Sequence, residues 1–181
     1  NGTVRTVIET ELGPLDFQDY FVRRRCEPVV QSIQFAGATE AVPATEFQEL
    51  ITANSLAAVI ICPSNPYLSI DPILSVPGIR DGLRKCGAPV VAVSPVVSGD
   101  SMKGPTAKIM HELGIICSAT TIAQHYRGLI DGLLIDTRDA NLEADIADLG
   151  IAVKLSNVVM RSAEDRRTLA NTVVQFASEL E

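Results

Sequence analysis

Ala57-Ala58-Val59-Ile60-Ile61-Cys62-Pro63-Ser64-Asn65-Pro66-Tyr67-Leu68-Ser69-Ile70 runs from an unbroken apolar stretch straight into a turn rich in proline and serine. The first six residues are apolar without alternation, the pattern of a strand buried on both faces of a parallel sheet. The run at 89–97 (PVVAVSPVV) reads the same way, and weaker strands follow at 132–135 and 151–155. Amphipathic segments alternate with them, so the pattern predicts a sheet covered by helices.

The helix ends are legible. One helix opens at Pro105 and stops at Gly114. A second takes Asn141 as its cap, buries Leu142, Ile146 and Leu149, and stops at Gly150. The last begins near Ser162, carries Glu164 and Asp165 in its first turn, and buries Leu169, Val173, Phe176 and Leu180. Ahead of the first parallel strand the pattern changes. Residues 4–10 alternate into Gly13-Pro14, a helix is expected over 16–25, residues 29–35 alternate again, and 46–51 form a short helix. The fold class is α/β: three-layer and Rossmann-like, with a mostly parallel sheet after a small β-rich start. The 181 residues read as one domain over 1–181.

Composition narrows the partners. With 46% apolar and 20% charged residues the chain is not disordered. No apolar run approaches the ~18–20 residues that span a bilayer. A net charge of −7 and only 4% aromatics argue against nucleic acid or an anionic membrane as partner. Cys26, Cys62, Cys86 and Cys117 are widely spaced, without a C-x-x-C pair, and read as free thiols in a reducing, cytoplasmic compartment. Cys62 is expected to behave as a small hydrophobe. The chain starts at Asn1 rather than Met and reads as a piece of something longer.

Three places could carry chemistry. The turn after the first parallel strand offers Pro63, Ser64, Asn65 and Ser69 at a strand's carboxyl end, where open α/β sheets bind ligands. It is either a phosphate-holding loop or an ordinary turn whose side chains bond their own backbone. The stretch Ser98-Gly99-Asp100-Ser101-Met102-Lys103-Gly104-Pro105 is again a loop into a helix, and Lys103 stands at that helix start either as an anion-binding cation or as a solvated lysine. His125-Tyr126 with Asp131 and Asp136 reads as an acid/base or metal group near the sheet edge or as half-buried packing, and Arg23-Arg24-Arg25 as an anion grip, a solvated face or a subunit contact. Neither standard nucleotide fingerprint occurs.

Several strings together resemble the CofD family, the 2-phospho-L-lactate transferases of coenzyme F-420 biosynthesis. They are Leu15-Asp16-Phe17-Gln18-Asp19-Tyr20-Phe21-Val22-Arg23-Arg24-Arg25, Cys62-Pro63-Ser64-Asn65-Pro66, Ser69-Ile70-Asp71-Pro72-Ile73-Leu74, Pro77-Gly78-Ile79-Arg80, Ser94-Pro95, Lys103-Gly104-Pro105 and His125-Tyr126. The resemblance implies magnesium-dependent transfer of a phospholactyl or analogous three-carbon group from a guanosine diphosphate-activated donor to the ribityl hydroxyl of the 8-hydroxy-5-deazariboflavin precursor, with release of GMP. Carried onto this chain, the loop 63–69 would contact the nucleotide phosphates and the loop 98–103 would close over the same crevice; within them Pro63, Ser64, Asn65, Ser69 and Gly99 are expected at the phosphates and Lys103 in catalysis, with His125, Tyr126 and Arg23 expected on the substrate side. Two residues depart from the family pattern: Cys62 and Asp71 stand where glycine is usual. The family's Gly-rich loop and Asp-containing metal site are missing, so the chain resembles the carboxyl-terminal three-fifths of such an enzyme, with the metal ligands expected in the amino-terminal part. An exposed sheet edge and a homodimer are expected in consequence. The other function in view, from the gluconeogenesis-factor relatives of the fold, is a nucleotide-sugar-binding regulator without catalysis.

Overall fold

A computed structural model describes residues 3–101 and 104–180. Strands β1 (Arg5–Thr10), β2 (Gly13–Asp16) and β3 (Val30–Ala36) form an antiparallel sheet in the order β2-β1-β3. The β1–β2 turn is tight. Gly13 takes a φ of +93°, and the Thr10 hydroxyl donates to its carbonyl at 2.8 Å. The helix expected over 16–25 is instead a π-helical turn, Asp19–Arg23. It stops where Arg25 and Cys26 swing to φ of +51° and +60°, and Tyr20 within it is buried in the core.

After α1 (Thr45–Thr52) the chain enters the main layer. Its elements are β4 (Val59–Ile61), the π-helical turn Pro66–Ile70, α2 (Asp71–Leu74), α3 (Ile79–Lys85) and β5 (Val90–Val93). A hairpin of β6 (Val96–Val97) and β7 (Asp100–Ser101) precedes α4 (Thr106–Glu112) and α5 (Ala119–His125). Then come β8 (Gly132–Asp136), α6 (Glu143–Ala147), β9 (Ala152–Ser156) and α7 (Ala163–Ser178). The parallel sheet runs β4-β5-β8-β9. Its strands are neighbours in chain order, so successive crossovers lie on one face. Val90, Ala92, Leu133 and Ile135 pack on that side against the helices from α2 to α6. Val91, Val93 and Leu134 pack on the other side against Leu169, Val173 and Phe176 of α7. The result is a three-layer α/β architecture. Among the described residues no helix is long and apolar enough to cross a membrane.

Some expected boundaries move. The first parallel strand is Val59–Ile61 rather than 57–62, and the exposed Cys62 thiol does not join the core. The run 89–97 splits after Val93, because the Ser94 hydroxyl takes the Val96 N–H and Pro95 has none to give. The Asn141 cap is not used. Asp136 accepts the Arg138 N–H and opens a 3-10 turn, Thr137–Leu142, that leads into α6. Among the described residues β4 pairs on one side only, and its central residue Ile60 is 39% exposed.

α7 is fixed at its start by a reciprocal cap. The Ser162 hydroxyl accepts from Asp165 N and the Asp165 carboxylate accepts from Ser162 N, at 3.0 and 2.8 Å. Its contact with β8 depends on Gly132, where an added Cβ would lie 2.7 Å from Phe176 and 2.8 Å from Leu180. Gly132→Val should therefore cost about 2–3 kcal/mol through overpacking. That loss lowers the melting midpoint by roughly 4–12 °C in a domain of this size. An unshifted calorimetric midpoint would show that α7 is free to retreat from the sheet.

Candidate functional site

The turn after β4 is built by Asn65. Its Oδ1 accepts the N–H groups of Tyr67 and Leu68 at 2.9 and 3.0 Å, capping the turn Pro66–Ile70, and Pro66 fits the first position because it has no N–H to leave unpaired. These two bonds fix which end of the amide is oxygen. The Asn65 Nδ2 is then the free end, and it is buried without a hydrogen-bond partner among the described residues. An orphaned buried donor is uncommon in a native fold and marks a place where something else supplies the acceptor.

That turn forms one wall of a crevice of about 240 Å³ beyond the carboxyl ends of β4 and β5. Pro63, Ser64 and Asn65 line it on one side, Ser94 and Thr106 lie at its back, and residues 158–161 with Arg166 close it. A larger open hollow of about 730 Å³ lies at the opposite edge, around Val90, Asp131 and Ile151 at the amino ends of β5, β8 and β9. Parallel sheets assemble sites at their carboxyl edge, so the smaller crevice is the better candidate despite its size.

Two buried carboxylates shape the loops around it. At the end of β8, Asp136 accepts from Arg138 Nε at 2.6 Å, Arg138 N at 3.1 Å and Val158 N at 3.2 Å. Burial pushes its carboxyl up, but these donors outweigh burial and hold it below the usual carboxylate range. Asp139 accepts the Ser98 N–H on both oxygens at 3.0 Å. It pins the β6–β7 turn, where Ser98 and Gly99 take φ of +51° and +76°. Asp139→Ala should release that turn at a cost of about 1–3 kcal/mol, the usual penalty for orphaning a hydrogen-bonded group. Amide exchange at Ser98 should accelerate at least tenfold; unchanged protection would show that the turn holds itself.

The sequence-derived candidates fall into separate groups. Pro63, Ser64 and Asn65 line the crevice. Ser69 does not; it is exposed on the turn, with its N–H bonded to the Asn65 carbonyl at 2.9 Å. Gly99 is exposed in the hairpin turn and also stands outside the crevice lining. Lys103 lies outside the described residues. Arg23 is ion-paired to Asp19 at 3.1 Å on an exposed surface. His125 Nε2 meets Asp71 Oδ1 at 2.9 Å, and its ring sits edge-on to Tyr67 and Tyr126. This group borders a different hollow, shared with Phe35 and Arg80. Tyr126 is buried, and burial pushes the Tyr67 phenol up to about 12, so it stays protonated at neutral pH. Asp71 engages His125 and does not line the crevice. What sequence reasoning missed is the pair Arg161 and Arg166, which reach the crevice from the start of α7.

Magnesium needs a set of oxygen ligands, usually carboxylates. Among the described residues no three His, Cys, Asp or Glu side chains converge to hold a metal. Asp136 and Asp139 already spend their oxygens on Arg138 and backbone N–H groups. The residues present do not form a magnesium site, and no step is assigned to the metal.

The family model "2-phospho-L-lactate transferase CofD" matches residues 1–174. A 2-phospho-L-lactate transferase of Methanococcoides burtonii is 35% identical over 178 residues, 98% of this chain and 57% of the relative. A phosphoenolpyruvate transferase of Streptomyces griseus is 34% identical, covering 94% of this chain and 53% of that protein. The chain thus spans a little over half the length of these relatives. The crystal structure of protein BH3568 from Bacillus halodurans superposes with a TM-score of 0.58 at 16% identity, covering 95% of this chain and 59% of that one, which shows a shared fold. With the family model matched almost end to end and these relatives aligned over nearly its whole length, the chain belongs to the CofD family.

Proposed function

We propose that this chain supplies the crevice-bearing part of a transferase that hands a phospho-acid group to an alcohol. The donor is a three-carbon acid joined through its phosphate to GMP, and the acceptor is the terminal ribityl hydroxyl of 8-hydroxy-5-deazariboflavin. The acceptor oxygen bonds to the phosphorus that bears the acid, the P–O bond to GMP breaks, GMP leaves, and the acceptor proton passes to solvent. The product is a phosphodiester linking acid and acceptor.

Such a reaction asks little covalent chemistry of the protein. Positioning the two oxygens in line and stabilising charge on the leaving GMP provide most of the acceleration. The observation that carries the reading is the Asn65 turn, whose amide nitrogen is buried and unpartnered at the mouth of a parallel sheet. The names of the two curated relatives lend support, because both describe transfer of a three-carbon phospho-acid. On sequence grounds Lys103 is assigned the neutralisation of charge as GMP departs.

The test uses the full-length protein with a guanosine diphosphate-activated donor and the deazaflavin acceptor. GMP release should depend on the acceptor and match formation of the phosphodiester one for one by mass spectrometry. GMP release indifferent to the acceptor, or none with both present, would overturn the reading.

A further inference from the structure

Arg161 and Arg166 enter the same crevice as Ser64 and Asn65, though nearly a hundred residues separate them in the chain. Among the described residues neither guanidinium forms an ion pair, which is also true of Arg25, Arg80, Lys85, Arg127 and Arg167, but of these only Arg161 and Arg166 line the crevice. The nearby acid, Asp165, is turned to the backbone, accepting the N–H groups of Arg161 and Ser162 at 2.8 Å. In a chain of net charge −7, two unmatched cations beside a buried, unpartnered amide donor are a concentrated local field of one sign. A guanidinium presents paired N–H groups at a spacing that fits two oxygens of one phosphate or carboxylate.

We propose that Arg161 and Arg166, with the Asn65 amide, form an anion subsite that grips the acid-bearing end of the donor. The inference rests on the donor reading above and adds Arg166 on α7, and Arg161 just ahead of it, to hold the donor's phosphate or carboxylate oxygens. The arginines bind; the Asn65 turn orients. Because α7 also packs on β5, β8 and β9, the Arg166 side of the grip is anchored in the sheet.

The probes are inorganic pyrophosphate, which offers phosphate oxygens alone, and 2-phospholactate, which adds a carboxylate. Titration calorimetry on the full-length protein should show binding of both, weakened by salt as expected for partly exposed charges. Arg161→Gln and Arg166→Gln should each weaken binding roughly tenfold, the effect of one charge-assisted contact. Arg166→Lys should keep part of the affinity that Arg166→Gln loses, and Arg167→Gln, outside the crevice lining, should bind as the wild type does. Thermal midpoints should hold, because both arginines are exposed. Equal losses for the two probes identify phosphate as the gripped group; a loss confined to 2-phospholactate identifies the carboxylate. Unchanged affinity in both glutamine variants, with binding lost in Asn65→Asp, overturns the arginine assignment and leaves the crevice reading standing. Affinity unchanged in Asn65→Asp as well overturns the crevice reading itself. Failure of the wild-type protein to bind either probe overturns the subsite, while turnover by the full-length protein still decides the reaction.

Discussion

Asn65→Asp is expected to weaken donor binding by the full-length protein roughly hundredfold while leaving the fold intact. The substitution keeps the atom that matters for folding. A carboxylate oxygen can still accept the N–H groups of Tyr67 and Leu68, and aspartate is as good a cap as asparagine. What changes is the other end of the side chain. A buried N–H donor becomes an anionic oxygen, so an anionic ligand loses a hydrogen bond and meets a like charge. The lost contact alone is about 1.5–3 kcal/mol, and the repulsion adds to it. Asn65→Ala is the contrasting variant: it removes the cap and should lower stability by about 0.5–2 kcal/mol. Equal donor affinity for Asn65→Asp and the wild type, with matched melting curves, would show that the crevice does not hold the donor.

The main sheet and α7 were legible because burial on both faces leaves its mark in the residues themselves. Val90 to Val93 and Leu133 to Ile135 are apolar at every position, and the stripe Leu169, Val173, Phe176 keeps helical spacing. Where the reading failed, a contact distant in sequence decided the outcome. Asn141 is as plausible a cap as Asp136 by local rules, yet Asp136 is also bound to Val158, and that tertiary bond selects it. The Arg25–Cys26 bend shortened an expected helix, and no glycine announced the positive φ.

The candidate site was half visible. A strand running into Pro63-Ser64-Asn65 is a local pattern, so the turn was found. The cations were not, because Arg161 and Arg166 lie in a segment read for its apolar stripe and its acidic first turn. A surplus of arginine at the start of α7, within an acidic chain, was the available signal. The partner of His125 is Asp71, more than fifty residues away, and that pairing places His125 at a hollow away from the crevice.

Asp136 connects the sheet to the binding wall, and its removal should damage both. It is buried at the end of β8, and its contact with Val158 N sets the course of the segment that leads through Met160 to Arg161 and α7. Asp136→Ala leaves the buried Val158 N–H without an acceptor and frees the Arg138 side chain. The cost should be about 3 kcal/mol, in line with breaking a buried hydrogen-bonded charge cluster. The same change should weaken anion binding, because the wall that carries Arg161 loses its anchor. Acid offers a second readout. The Asp136 carboxyl sits below its ordinary value of 3.8 in the folded chain, so its contribution to stability is complete above that value and drains away as pH falls below it. The stability gap between wild type and Asp136→Asn should therefore stay constant from neutral pH down to about pH 5 and narrow below pH 4. A gap that is flat to pH 2, or one that widens in acid, would mean that the charged carboxylate is not what ties Val158 and Arg138 to the end of β8.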